Sequence, residues 1–449
     1  MKRLMLVNPM NPVRTGLTVN KRSRFPPLGL GQVAALTPGD WEVVLQDENW
    51  QPFEMAEADL VGLTAFTASA NRAYEIAGAY RRAGTPVVMG GIHASMRPEE
   101  ALELIDSVVV GEAEPVWPQV LKDFEAGRLG RRYDGEAGDL AGLCSPRREL
   151  FDPRYQFASI QTSRGCPMDC EFCSVTAFNG RRYRRRPSAE VLDELEAIPQ
   201  KKVFFVDDNI IGHGRASREQ ALELFRGMVE RGIDKWWFSQ ASLNFADDEE
   251  VLRWAARAGC KMVFLGLEAE EVDALTTVNK RLNLRRGVDS YEKAFRRIHR
   301  AGIAVLGAFI FGVDGDTAEK LGRRADYMIG SGVDVMQTTF LTPLPGTRMF
   351  ERCRREGRLL HARFPDDWDR YDMTEATHRP ATMTAPDLTR VTHEANRRMY
   401  SWPVLLRKAL RTLRATRSPS ATLFAWTSNL NYRRVAFAIP DQGIAMPPC

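Results

Sequence analysis

Cys166, Cys170 and Cys173 stand together in the run Cys166-Pro-Met-Asp-Cys170-Glu-Phe172-Cys173. Thiolates are the soft ligands that iron–sulfur clusters require. Three of them at these spacings can each hold one corner of a cubane cluster, which leaves the fourth iron without a protein ligand. A four-cysteine cluster is a closed electron carrier, whereas a three-cysteine cluster leaves an iron open to a substrate or cofactor. Structural zinc is the competing use of close cysteines, but it wants four closed ligands. The nearest histidine is His213, far along the chain, and there is no second C-x2-C pair. An odd total of seven cysteines, with no secretory leader pattern in front, argues against a disulfide framework. Cys144, Cys353 and Cys449 are expected to be inert thiols, and Cys260 to lie in the core.

A loop of this kind must be positioned by regular elements. Short apolar runs at 4–8, 41–47, 59–64, 86–90 and 107–110, separated by helix-length segments, predict a parallel, doubly wound, Rossmann-like α/β sheet. Ligands of such sheets lie beyond the strand C-terminal ends, where small or polar residues stand: Asn8, Thr64, Ser69, Gly90, Gly91 and His93. This first domain spans 1–125. A Gly-, Arg- and Asp-rich stretch at 126–152 is expected to be linker. A second domain, 153–348, has six strand patterns at 157–162, 202–206, 237–241, 262–267, 304–311 and 335–341, with helical patterns between them, and the cysteine loop follows its first strand. Residues 349–449 lie beyond the last strand and are expected to form a mainly helical extension that closes the site.

The chain has 449 residues, 44% of them hydrophobic, enough for these domains, with no apolar stretch long enough to span a bilayer. A net charge of +4 leaves no nucleic-acid footprint. The charge is unevenly spread. No Asp or Glu occurs between Glu394 and Asp441, whereas Arg397, Arg398, Arg407, Lys408, Arg411, Arg414, Arg417, Arg433 and Arg434 all do. Within that tail, 402–417 places Leu405, Leu406, Ala409, Leu410 and Leu413 on one helical stripe and the cations on the other. Such a helix suits peripheral contact with an anionic membrane, or it packs across the second domain. The N-terminus enters a strand directly, so cytoplasmic residence is expected.

In the context Gln161-Thr-Ser-Arg-Gly-Cys166, the spacing C-x3-C-x-aromatic-C resembles the radical S-adenosylmethionine (AdoMet) superfamily. The resemblance implies a partial (β/α)6 barrel and a 4Fe-4S cluster on the three cysteines. Its open iron would chelate the amino and carboxylate groups of AdoMet, and an electron from the cluster would release a 5′-deoxyadenosyl radical. It also implies AdoMet contacts. Phe172 would pack near the adenine, or simply cover the cluster. In Val206-Asp207-Asp208-Asn209, Asp208 and Asn209 would receive the amino group, although acidic residues at strand ends also cap helices. Gln240 ends the third barrel strand, Glu268 would suit the ribose hydroxyls, and Ile310 lies in the Gly307-Ala-Phe-Ile310-Phe-Gly312 run along the adenine.

The first domain resembles the cobalamin-binding domain of the B12-dependent radical AdoMet class. The resembling segments are Pro26-Pro27-Leu28-Gly29-Leu30, Asp59-Leu-Val-Gly-Leu-Thr64, Val88-Met-Gly90-Gly91-Ile-His93 and Val110-Gly111-Glu112-Ala-Glu114. Cobalamin is thereby implied, with Thr64, Ser69, Gly90, Gly91, His93, Gly111 and Glu112 as its candidate contacts. The Asp-x-His-x-x-Gly motif is absent, and Asn8-Pro-Met-Asn-Pro stands in its place. A bound cobalamin would therefore lack that histidine as lower ligand. A sheet that binds nothing is the plain alternative. The run Arg181-Arg-Tyr-Arg-Arg-Arg186 is either a solvated face or a contact for the cobalamin tail or an acidic substrate.

The class implies methyl transfer from methylcobalamin to an unactivated carbon or phosphorus of a small-molecule or lipid substrate. An external donor of flavodoxin or ferredoxin type would supply electrons. Non-methylating radical chemistry and a non-catalytic cobalamin-binding regulator are the alternatives.

Overall fold

The computed structural model describes residues 1–14, 16 and 20–438; Cys449 and the last eleven positions of the expected extension lie outside the described residues. Six strands form the first sheet: β1 (Lys2–Asn8), β2 (Trp41–Asp47), β3 (Leu60–Thr64), β4 (Val87–Gly90), β5 (Ser107–Gly111) and β6 (Arg132–Gly135). Their order is β2-β1-β3-β4-β5-β6, and every pair is parallel. Leu4, Met5, Leu6 and Val7 are all buried, because a parallel strand between two helical layers is apolar on both faces. The order reverses direction between β1 and β3, which opens a crevice beyond their C-terminal ends. β6 falls within the stretch expected to be linker. Its sequence, Arg-Tyr-Asp-Gly, gives no apolar run because it is an edge strand with Arg132 and Asp134 exposed.

The second sheet has the order β14-β13-β12-β11-β10-β7, again all parallel. These strands are β7 (Phe157–Ile160), β10 (Lys202–Phe205), β11 (Trp236–Ala241), β12 (Cys260–Glu268), β13 (Ala304–Phe311) and β14 (Val335–Phe340). A two-stranded hairpin, β8 (Ser163–Arg164) with β9 (Arg184–Arg185), brackets the cysteine loop. On the outer face, Trp237, Val263, Leu265, Val305 and Phe309 pack beneath the connecting helices. On the inner face, helix Pro419–Ala438 lays Ala421, Phe424 and Ala425 against Met262, Ala304, Leu306 and Val335. Phe25, from the first domain, enters the same face, 4.7 Å from Phe204 and 5.5 Å from Phe157. Phe204 and Phe238 stack with centroids 4.4 Å apart; such pairs contribute about 0.5–1.5 kcal/mol beyond area burial. Both flanking segments thus complete the six-stranded sheet.

The extension also reaches back to the first domain. Phe350, Trp368 and Tyr371 join that domain's core, and Arg14 pairs with Asp372 at 2.9 Å. No described helix is long and apolar enough to cross a membrane.

One buried ion network fixes the turn after β13. Asp316 accepts hydrogen bonds from the backbone N–H of Gly312 and Val313, each at 3.0 Å. Fully buried Arg324 donates to both Asp316 oxygens, to the Ile310 carbonyl at 2.8 Å and to Glu270 at 2.9 Å. Removing one partner of a buried pair leaves an uncompensated charge. Arg324→Ala is therefore expected to destabilise the protein by about 3–5 kcal/mol, read as a lowered midpoint in denaturant unfolding.

Candidate functional site

The cysteine loop has little regular structure, so its shape is imposed by what surrounds it. It leaves β8 through Gly165, at φ +91°, where an added Cβ would sit 2.2 Å from the Arg182 carbonyl. Asp207, fully buried at the end of β10, accepts from the Thr162 N–H and hydroxyl at 3.0 Å each, and from the Ser163 hydroxyl at 2.6 Å. It thereby locks the chain just before Cys166. Cys166 N–H donates to the Gly180 carbonyl and Cys173 N–H to the Cys170 carbonyl. The middle of the loop is gripped by Asn279, which donates to the Asp169 carbonyl at 2.6 Å, and by Arg348, which donates to the same carbonyl at 2.8 Å.

From the first domain, Glu112 pairs with Arg184 at 2.6 Å and with Arg164 at 3.3 Å, and Glu114 pairs with Arg164 at 2.5 Å. Arg164 immediately precedes Gly165 and Cys166. Glu112 is therefore a fastening of the cluster loop, committed to two guanidinium groups. Much of the arginine run is tied down as well: Arg184 and Arg186 are buried, Arg186 pairs with Glu194 at 2.6 Å, Arg185 donates to the Ile210 carbonyl and Arg181 pairs with Asp169. Arg184, Arg185 and Arg186 are structural ties, whereas Arg181 and Arg182 remain exposed and form the solvated part of the run.

Among the described residues no three His, Cys, Asp or Glu side chains converge tightly enough to hold a single metal ion, which is the geometry a structural zinc needs. A cubane instead presents its irons at separate corners. Burial pushes all three thiols up, Cys173 to about 12, where Cys170 and Cys166 add to the rise. Bound iron would reverse that by favouring the thiolates. Lys280 lies close enough to stabilise thiolates at Cys170 and Cys173, and its Nζ is 2.5 Å from Glu268 Oε1. Burial opposes the Lys280 charge, but Glu268 and Cys170 outweigh it and hold the ammonium protonated. The pair sits over Gly266, where a Cβ would meet Glu268 Oε1 at 2.6 Å and Lys280 Nζ at 2.9 Å. Lys280 was not anticipated from the sequence. Its only signal is a position in the loop after the strand that ends in Glu268.

The other AdoMet candidates divide into two groups. Asp208, Gln240, Glu268, Ile310 and Phe172 gather at the C-terminal end of the second sheet. Asp208 accepts from Asn179 at 3.1 Å. The Gln240 side chain has no hydrogen-bond partner among the described residues and is half-buried. Phe172 packs on the apolar cluster containing Ile310, Val313, Leu341 and Met349. Asn209 stands apart, fully buried, donating to the Ser242 hydroxyl at 3.2 Å. It ties β10 to the loop after β11, and its Oδ1 is buried without a hydrogen-bond partner among the described residues. The assembled set fits AdoMet chemically, with a carboxylate for the ammonium, an ammonium for the carboxylate and an apolar face for the adenine.

In the first domain, Thr64, Gly90 and Gly91 lie half-buried at the strand ends, and Phe66 is 75% exposed there. Ser69 is buried and donates to the Phe66 carbonyl at 3.3 Å. Gly111 N–H donates to the Ser95 hydroxyl at 2.9 Å. Small residues around an open crevice fit a large planar cofactor. His93 does not contribute to that edge. It is fully buried, 3.1 Å from the Tyr74 hydroxyl and 3.4 Å from Glu100, under the Trp368 ring. Burial lowers its pKa, so it is a neutral core histidine. The end of β1 carries no histidine; Asn8 donates to Asp47 at 2.8 Å.

The family model for the radical SAM superfamily matches residues 160–328, and the model for the B12 binding domain matches residues 14–121. The chain is a B12-binding member of the radical SAM superfamily. Its cofactors are a 4Fe-4S cluster, AdoMet and cobalamin. This radical SAM enzyme is 29% identical over 429 residues to the bacteriochlorophyllide d C-12(1)-methyltransferase of Chlorobaculum tepidum, a match covering 91% of this chain and 89% of the relative. It is 28% identical to the hopanoid C-2 methylase of Rhodopseudomonas palustris, covering 75% and 66%. The structure of the radical S-adenosylmethionine methyltransferase TsrM from Kitasatospora setae shares its fold, with a TM-score of 0.68 at 17% identity over 98% of this chain and 100% of that one.

Burial raises the Asp208 pKa to about 6, with Asp207 adding to the rise. Only the ionised carboxylate attracts an ammonium. AdoMet affinity is therefore expected to hold above pH 6 and to fall by about tenfold per unit below it, while Asp208→Asn binds weakly with a flat profile. Anaerobic equilibrium dialysis across this range checks both.

Proposed function

We propose that this radical SAM enzyme is a cobalamin-dependent methyltransferase acting on an unactivated carbon of a small-molecule or lipid substrate. One juxtaposition carries the reading. Helix Gly91–Met96, at the strand ends of the B12-binding domain, touches helix Ser174–Asn179, which follows the cysteine loop. A methyl donor held at the first would thus lie beside radical chemistry initiated at the second. Relatives that methylate a bacteriochlorophyllide and a hopanoid support it.

When bound, the three cofactors supply the electron, the hydrogen-abstracting power and the methyl group. The chain's own residues hold and orient. Cys166, Cys170 and Cys173 are the cluster ligands. Asp208 and Lys280 address the two charged ends of AdoMet, Glu268 its ribose, and Phe172 with Ile310 its adenine. Gln240 offers a free amide to whatever occupies the mouth. Thr64, Ser69, Gly90, Gly91 and Gly111 edge the cobalamin crevice. The described cysteines outside the loop are Cys144, Cys260 and Cys353, which are separated in sequence and form no second cluster. Electrons therefore come from an external donor of flavodoxin or ferredoxin type.

The test is anaerobic incubation of the reconstituted, reduced protein with cobalamin, methyl-deuterated AdoMet and an extract from cells lacking the enzyme. The expected result is 5′-deoxyadenosine together with a deuterated methyl group on one extract component. 5′-Deoxyadenosine with no label transfer to any component would overturn methyl transfer. Lys280→Met is expected to weaken AdoMet binding at least tenfold, about 1.4 kcal/mol, measured by dialysis.

A further inference from the structure

Helix Trp402–Thr416, the last but one of the described helices, turns most of its leucine stripe outward. In helix Trp402–Thr416 the inward face is Val404, Leu405, Lys408, Thr412 and Thr416. Lys408 is buried and its Nζ donates to the carbonyls of Met328 at 2.7 Å, Ser331 at 3.1 Å and Val333 at 2.5 Å. These lie at and just past the C-terminal end of helix Ala318–Gly330, where a cation is favoured. Thr412 donates to Asp334 at 2.6 Å. A lysine with three carbonyl partners thus fixes the rotation of the helix, and the single apolar stripe expected from the sequence is split. Leu405 turns inward. Trp402, Leu406, Leu410 and Leu413 point outward at 50%, 54%, 56% and 41% exposure, joined by Leu423 of the next helix at 52%.

A soluble surface rarely leaves so many large apolar side chains in one stripe without an occupant. The charge beside the stripe identifies the occupant. Arg407, Arg411, Arg414 and Arg417 are exposed along its flank, and none forms an ion pair among the described residues. No Asp or Glu lies between Glu394 and Asp441 to oppose them. Arg433 lies over the Trp402 ring, 4.6 Å from its centroid, so an aromatic–cation pair stands at the edge of the stripe. Arg411 also donates to the Gly330 carbonyl at 2.8 Å, but an apolar stripe bordered by guanidinium groups without carboxylate partners complements a surface that is anionic outside and hydrocarbon beneath. A second protein chain would need carboxylates placed against each arginine.

We infer that this face docks on an anionic lipid bilayer, with Trp402, Leu406, Leu410, Leu413 and Leu423 entering the headgroup boundary and the arginines meeting lipid phosphates. The inference is independent of the reaction catalysed. The surface lies on the last helices, away from the cysteine loop, so docking and chemistry are separable in experiment.

The test is flotation of the full-length protein with vesicles of phosphatidylcholine alone or with 30% phosphatidylglycerol (about the anionic content of a bacterial membrane surface). Binding is expected only to the anionic vesicles, and it should weaken as salt shortens the screening length. Arg407→Glu with Arg414→Glu is expected to reduce binding about tenfold or more. Leu406→Ser with Leu410→Ser and Leu413→Ser should do the same while leaving 5′-deoxyadenosine formation and the unfolding midpoint unchanged. Absence of flotation with anionic vesicles at low salt overturns the proposal. So does a dimer in solution that the serine variant converts to monomer, since the occupant is then a second copy of this chain.

Discussion

Two carboxylates at the end of β5, Glu112 and Glu114, hold two arginines, Arg164 and Arg184, that belong to the opposite domain. These arginines are the two strands of the hairpin from which the cysteine loop emerges. Carboxylate–guanidinium bridges of this kind are short, directional and strong when partly desolvated. Because they tie the root of the loop to the strand end of the other sheet, the two candidate cofactor sites have a fixed separation. The grip of Asp207 from below, and of Asn279 and Arg348 from the side, constrains the loop within that frame. A loop with few backbone hydrogen bonds of its own is thereby pre-organised by neighbours on three different elements.

The strands were legible because parallel strands covered on both faces are unbroken apolar runs. Every one of the six second-sheet strands lies within two residues of the pattern in the sequence, and β1–β5 do as well. β6 was not legible, since an exposed edge strand of four residues has only Tyr133 to mark it. The cysteines, Asp208 and Glu268 stand out in the sequence because they lie at a strand end or in the loop that follows one, where ligands of such sheets gather. Residues whose role depends on distant partners could not be read. Glu112 and His93 sit at strand ends just as ligand-binding residues do, yet their partners, Arg184 and Trp368, come from far along the chain. Lys280 was invisible for the same reason: nothing local reveals that its ammonium folds back over Gly266 onto Glu268.

The extension shows how apolar patterning can mislead when a single polar group has better partners. Helical periodicity groups Leu405 with Leu406 and Leu410. Three backbone carbonyls at and just past the end of helix Ala318–Gly330 instead select Lys408 for the interior, because buried acceptors left without donors cost more than an exposed leucine. The turn after β13 obeys the same logic. Asp316 is buried because two N–H groups and Arg324 need it there.

The inner face of the second sheet is closed by Phe25, made before any of its strands, and by Phe424, made after all of them. During synthesis from the N-terminus, Phe157 and Phe238 therefore keep part of their aromatic surface open until helix Pro419–Ala438 has been made. Such surfaces are where newly made chains associate wrongly. Helix Pro419–Ala438 thus removes an association-prone surface that the strands alone leave open, and the order of translation bears on how the inner face of the second sheet is closed.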